Sequence, residues 1–325
     1  MSFWDRKKVL VTGGSGFIGS HVVERLVQKY RGVRVTVASR MSGAVGRNLD
    51  AVKKNIKIVK EDLRDPGASR RVSRGQDVVI NLAAVVGGVG YNSVHHASLF
   101  RDNMTLQLNM IEASRLEKVR RYLVVSTACV YPRDCRIPTP ESEGFRDTPE
   151  ATNEGYGWAK RMGEYLGRSY AQEFGMKISI VRPYNAYGPR DHYDPDKSHV
   201  IAALVRRVCK GENPLKVWGD GKATRAFLYV DDFARGILDV AEKYPKADPV
   251  NIGSSEEVSI KQLAWAILRA AGHNAKIIFD PSKPSGQPRR ASDTKKSSRV
   301  LGFKPQISLD EGLRRTVAWY REHLL

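Results

Sequence analysis

Near its amino end the chain reads Lys7-Lys8-Val9-Leu10-Val11-Thr12-Gly13-Gly14-Ser15-Gly16-Phe17-Ile18-Gly19. Lys7 to Val11 is a short apolar run with the pattern of a buried strand, and an apolar-periodic helix follows from His21 to about Tyr30. Strand, glycine turn and helix in this order form a dinucleotide-binding unit. Gly13 and Gly16 allow a tight turn and a close backbone approach to a pyrophosphate. Gly19 lets the helix pack on the sheet, and the helix amino end favours the anion. Ser15, Phe17 and Ile18 belong to the same loop and are expected beside the same ligand.

The next strand, Arg34 to Ala38, ends in Ser39-Arg40, where an NAD-binding unit places a carboxylate on the ribose 2′-hydroxyl. A hydroxyl and a guanidinium stand there instead. They suit a 2′-phosphate, which arginine grips through several fixed donors, so NADP is the expected cofactor and NAD the alternative. Arg47 in the following loop is a second candidate for that contact.

Further out, strand-like runs at Ile56 to Lys60, Val78 to Leu82, Tyr122 to Ser126 and Ile178 to Arg182 alternate with helical patterns at Met104 to Arg115 and Tyr156 to Phe174. The alternation predicts an α/β chain with a doubly wound parallel sheet and ligands at the strand carboxyl ends. Asp62-Leu63, Asn81-Leu82-Ala83-Ala84 and Thr127 to Cys129 fall at those ends. Loops at Gly188 to Asp196, Gly219 to Thr224 and Pro281 to Arg290 interrupt shorter elements later in the chain. They predict a Rossmann domain over 1–182, with returning segments near 226–255, and a smaller, discontinuous mixed α/β domain over 183–325.

Composition is consistent with two such units: 325 residues, 41% hydrophobic and 27% charged. No apolar run reaches membrane-spanning length, and Met1 to Lys8 lacks the pattern of a signal peptide, which predicts a cytoplasmic protein that does not enter a membrane. Cys129, Cys135 and Cys209 are too few for a disulfide framework. The formal charge of +19 invites a nucleic-acid partner. Its lysines and arginines are dispersed, however, with no basic tail and no zinc-ligand spacing, so neither a nucleic acid nor a metal is expected.

Tyr156-Gly157-Trp158-Ala159-Lys160 places a phenol and an ammonium four residues apart on one helix face. The spacing alone also fits a packed tyrosine beside a solvated lysine. If the ammonium acts on the phenol, it favours the ionised form and brings Tyr156 toward neutral proton exchange.

Together, Thr12-Gly13-x-x-Gly16-x-x-Gly19, Asp62-Leu63, Asn81 to Ala84, Thr127 and Tyr156 with Lys160 resemble an extended short-chain dehydrogenase/reductase of the NAD-dependent epimerase/dehydratase family over essentially the whole chain. Within it, Cys129-Val130-Tyr131-Pro132, Tyr187-Gly188-Pro189, Ser198-His199-Val200-Ile201 and the run from Ser282 to Arg289 are similar to GDP-L-fucose synthases. Ala128-Cys129-x-Tyr131-Pro132 and Trp218-Gly219-Asp220-Gly221 are also similar to GDP-mannose 3,5-epimerases.

The resemblance implies a sugar ketone held by Thr127 and Tyr156, with Lys160 lowering the Tyr156 pKa and holding the nicotinamide ribose. Cys129 and His199 would exchange protons at carbons beside the ketone. Thiol and imidazole suit that task, because their ordinary pKa values of about 8.5 and 6.5 bracket neutrality. Asn103 would position groups near the active-site helix. Asn185, Trp218, Arg225, Lys283 and Arg289 would hold a nucleotide diphosphate, with GDP carried by resemblance alone. The Asp-Glu pair of the dehydratases is missing after Thr127, where Ala128-Cys129 stands.

The implied activity is an NADP-dependent 3,5-epimerase/4-reductase of a nucleotide-linked 4-keto-6-deoxyhexose. The alternative is a redox-neutral, NAD-dependent epimerase. Relatives imply a homodimer formed through Met104 to Arg115 and Tyr156 to Phe174.

Overall fold

The computed structural model describes residues 2–40, 44–195, 198–283 and 287–325. Pro284 to Gly286, within the run from Ser282 to Arg289, and Asp196 lie outside the described residues.

Seven strands form one parallel sheet: β1 (Lys8–Thr12), β2 (Arg34–Ser39), β3 (Ile56–Lys60), β4 (Val78–Asn81), β5 (Arg121–Val125), β6 (Ile178–Pro183) and β7 (Pro249–Ile252), in the order β7-β6-β5-β4-β1-β2-β3. Chain direction across the sheet reverses between β1 and β4, and such a switch point opens a crevice at the carboxyl ends. β1, β4 and β5 are almost wholly buried, as parallel strands covered on both faces must be, whereas the edge strand β3 exposes Lys57, Ile58 and Lys60. Each fully buried Val or Leu in β1 contributes about 1.5–3 kcal/mol relative to exposure.

Helices cover both faces. On one, α1 (Phe17–Lys29) packs with the helix here called α6 (Val230–Lys243) around Val9, Val11, Leu26, Ile237 and Val250. On the other, α2 (Pro66–Ser73), α3 (His96–Leu116) and α4 (Glu154–Phe174) enclose Leu10, Val79, Met110 and Ile180. A third cluster joins α5 (Val200–Cys209), α7 (Ile260–Ala271) and α8 (Leu309–Leu324) through Leu204, Leu263, Ile267 and Leu313. Ser259 starts α7 with a reciprocal Gln262 capping box.

The strands fall within one residue of their expected limits, but α1 begins at Phe17 rather than His21, and α3 at His96 rather than Met104. Gly19 and Ser20 interrupt the apolar period in the first turn of α1, and Arg101, Asp102 and Asn103 do so in α3. Among the described residues no helix is long and apolar enough to cross a membrane.

Candidate active site

The site begins where β1 runs into the glycine loop. Gly13 has φ +64°, a left-handed conformation that glycine adopts without strain, and a Cβ on it would press on Ala83 at 3.0 Å. A Cβ on Gly19 would collide with the Gly13 carbonyl oxygen. The loop therefore packs against Leu82-Ala83, and Thr12 ties the two together: its Oγ1 donates to Asn81 Oδ1 at 2.7 Å and accepts from Ala83 N at 3.0 Å.

No side chain caps the amino end of α1 at Gly16, which leaves its first amide N–H groups to an anion. Ser15 Oγ and Ser39 Oγ lie 3.0 Å apart, joining the loop to the end of β2. Arg40 is exposed beside them. Its charge helps hold the Asp62 carboxyl down, although the Arg64 hydrogen bond is the main reason that pKa falls to about 2. Leu63 is buried beneath. This cradle fits a dinucleotide, with its pyrophosphate on the α1 amino end.

At the end of β5, Thr127 caps a short turn over Ala128–Val130, its Oγ1 accepting from Cys129 N at 3.2 Å. α4 abuts this turn so closely that a Cβ on Gly157 would lie 2.6 Å from the Cys129 carbonyl oxygen. Tyr156 and Lys160 are thereby brought beside Cys129. Asn103 anchors the loop after β4, its Nδ2 donating to Val85 O at 2.8 Å and its Oδ1 accepting from Val85 N at 3.0 Å.

The electrostatics correct one expectation. Burial, with the Cys129 charge second, pushes the Tyr156 phenol up from its ordinary value. Burial also lowers Lys160 to about 8, against the opposing pull of Cys129 and Glu164. Desolvation of the phenol and of the ammonium itself outweighs the attraction that the spacing suggested.

Arg290 faces the turn from the later part of the chain. Its half-buried guanidinium stands close enough to the Cys129 sulfur to interact with its charge. Both residues line a small pocket with Glu150, Asn153 and Tyr184. His199 stands exposed at the amino end of α5. Desolvation of the ring, followed by the charges of His192 and Arg290, holds its imidazole below the ordinary value.

Arg225 and Arg290 are register partners on adjacent strands, and burial followed by Arg290 lowers the Arg225 pKa. Two cations so placed favour a polyanion between them. Asn185 spends its amide on Ala226 O at 2.9 Å. Trp218, 61% exposed, and Lys283, also exposed, lie on and just after the two-stranded sheet of Leu215–Trp218 and Ile277–Asp280.

Arg289 is held by Glu257 at 2.7 Å and lines the pocket at Cys129 together with Arg290.

Residues 9–253 match the model of the NAD dependent epimerase/dehydratase family, and the chain belongs to that family. It is 33% identical over 326 residues to a Streptomyces dTDP-4-dehydro-6-deoxy-D-allose reductase, covering 98% of each chain. It is 32% identical over 331 residues to the GDP-L-fucose synthase of Escherichia coli K12, again covering 98% of each. The structure of a Thermotoga maritima UDP-glucose 4-epimerase with UDP-glucose superposes with a TM-score of 0.87 at 30% identity, covering 98% of this chain and 100% of that one.

Proposed function

We propose that this member of the NAD dependent epimerase/dehydratase family is an NADP-dependent epimerase-reductase acting on a nucleotide-linked 4-keto-6-deoxyhexose, with a GDP-sugar as its preferred substrate. The observation that carries the reading is the packing of α4 against the Thr127–Val130 turn, which sets the Cys129 thiol beside the Tyr156 and Lys160 pair. One site then holds groups for proton exchange at carbon and for protonation at oxygen.

Thr127 and Tyr156 hydrogen-bond the C4 ketone and stabilise the enolate formed when a neighbouring carbon loses its proton. Of Cys129 and His199, one withdraws that proton and the other delivers a solvent-exchanged proton to the opposite face. A nicotinamide cofactor held by the glycine loop and Lys160 would supply the hydride for C4. Tyr156 then gives its proton to the new C4 oxygen, and Lys160 holds the ribose and keeps positive charge beside the phenol.

Ser39 with Arg40 supports a 2′-phosphate, and Arg225 with Arg290 supports the substrate diphosphate. Trp218 and Lys283 would meet the nucleoside. Similarity to both a dTDP-sugar reductase and a GDP-sugar synthase makes the nucleotide a question for direct comparison of the two substrates. C129S is expected to suppress epimerisation more than hydride transfer, and equal loss of both would refute separate roles.

A homodimer in the cytoplasm completes the proposal. Leu108 on α3 and Tyr165 on α4 are 45% and 59% exposed, and Phe100 and Phe174 are exposed on the same helices. A second copy of this helix pair would cover them.

A further inference from the structure

Beneath the turn that carries Thr127 and Cys129 lies a fully buried ion pair. Arg182 on β6 and Glu164 on α4 have side chains 1% and 0% exposed. The contact is bidentate: Arg182 Nε donates to Glu164 Oε1 at 2.8 Å, and Nη2 to Oε2 at 2.6 Å. Charges removed from water are costly, and a matched apolar pair in such a place is often no less stable. Net stability is thus a poor reason for this pair, and its further bonds suggest another.

Those bonds run to the two ends of one segment. Glu164 Oε1 also accepts from Ser126 Oγ at 2.5 Å, immediately before Thr127. Arg182 Nη1 donates to Tyr131 OH at 3.0 Å, two residues after Cys129, and to Glu141 O at 2.6 Å. Tyr131 OH donates onward to Asn251 Oδ1 at 2.6 Å on β7. Between those ends, Arg161 Nε on α4 donates to Val130 O at 2.7 Å. Glu164 follows Tyr156 and Lys160 at helical spacing on one face, so the helix that presents the phenol and ammonium also presents the carboxylate gripping the opposing turn.

We propose that Glu164 and Arg182 are positioning residues that clamp Ser126–Tyr131 to α4, fixing Thr127 and Cys129 relative to Tyr156 and Lys160. The proposal rests on the reaction assigned above only for the roles of the four residues it positions. The clamp carries no proton in the reaction. Its contribution is geometric, since small displacements of reacting groups cost large factors in rate.

The test compares wild type with E164L/R182M, which removes both charges together and leaves neither buried alone. Two readouts are taken: steady-state kinetics on the 4-keto-6-deoxyhexose nucleotide, and the rate of iodoacetamide labelling at Cys129, located by peptide mass. The expected result is a cooperatively melting protein with kcat reduced about tenfold or more, KM little changed, and Cys129 labelled at a rate several-fold different from wild type. Wild-type kcat and labelling in the melted-as-native double variant would overturn the clamp.

If that variant does not fold, S126A and Y131F each remove one hydroxyl from the network. Both are expected to lower kcat and shift labelling by a smaller factor, and wild-type values in both would overturn the proposal. Labelling needs no substrate. Wild-type protein inactive on every 4-keto sugar nucleotide would refute the reaction, while an altered labelling rate in the variants would still support the clamp.

Discussion

Lys160 Nζ lies 5.5 Å from the centre of the Tyr156 ring and donates to the Val125 carbonyl oxygen at 2.8 Å. The ammonium is thus anchored to the end of β5 and faces the phenol ring. Burial lowers Lys160 to about 8, with Cys129 and Glu164 opposing the fall, so its charge is present below that pH and lost above it. The kcat/KM profile is expected to decline as pH rises through about 8, and K160M to lose that limb along with most of the rate. Y156F is expected to lower kcat by about 10²–10⁴-fold. A profile flat into the alkaline range would show that the Lys160 charge is not used.

Cofactor choice turns on the end of β2. R40A is expected to weaken NADPH binding about tenfold while leaving NADH unchanged, read by fluorescence titration without substrate. R47A is the comparison. A loss confined to R47A would move the 2′-phosphate contact to the short helix Ala44–Leu49.

Asp191 is 8% exposed, accepts one hydrogen bond from His192 N at 2.7 Å, and is pushed up to about 7 by burial. The unfolded carboxyl loses its proton near 4, so the folded chain holds an extra proton between these values. Stability from that proton is complete below about pH 4 and is lost as pH rises through 7. D191N should escape the loss, gaining about 2–4 kcal/mol on wild type between those pH values in denaturant titrations. Parallel pH curves for the two proteins would contradict the assignment.

The exposed side chains on α3 and α4 predict a concentration-dependent dimer. L108K with Y165E is expected to sediment as a monomer while keeping the wild-type circular dichroism spectrum. A wild-type monomer at all concentrations, or a dimer in the variant, would place the association elsewhere or remove it.

The fold was legible because local rules and the global answer agree. Lys8–Thr12, the glycine loop and α1 each carry their own signature, and the buried strands are too apolar for any other use. The Tyr156 and Cys129 grouping was legible only through motif resemblance, since residues 27 positions apart in sequence meet through the close approach at Gly157. Arg290 and the Glu164–Arg182 pair were not read. Their meaning lies in long-range contacts, to Cys129 in one case and across α4 and β6 in the other, and no local spacing encodes those contacts. The phenol's burial escaped for the same reason: spacing places the ammonium nearby but says nothing of the water excluded around both.

The most direct test of the proposed reaction incubates the enzyme with NADPH and GDP-4-keto-6-deoxy-D-mannose in heavy water, following NADPH absorbance and then locating deuterium in the sugar by NMR and mass. The account predicts NADPH consumption with deuterium at C3 and C5, carried there through Cys129 and His199. Deuterium incorporation without NADPH consumption would contradict it and identify a redox-neutral epimerase instead.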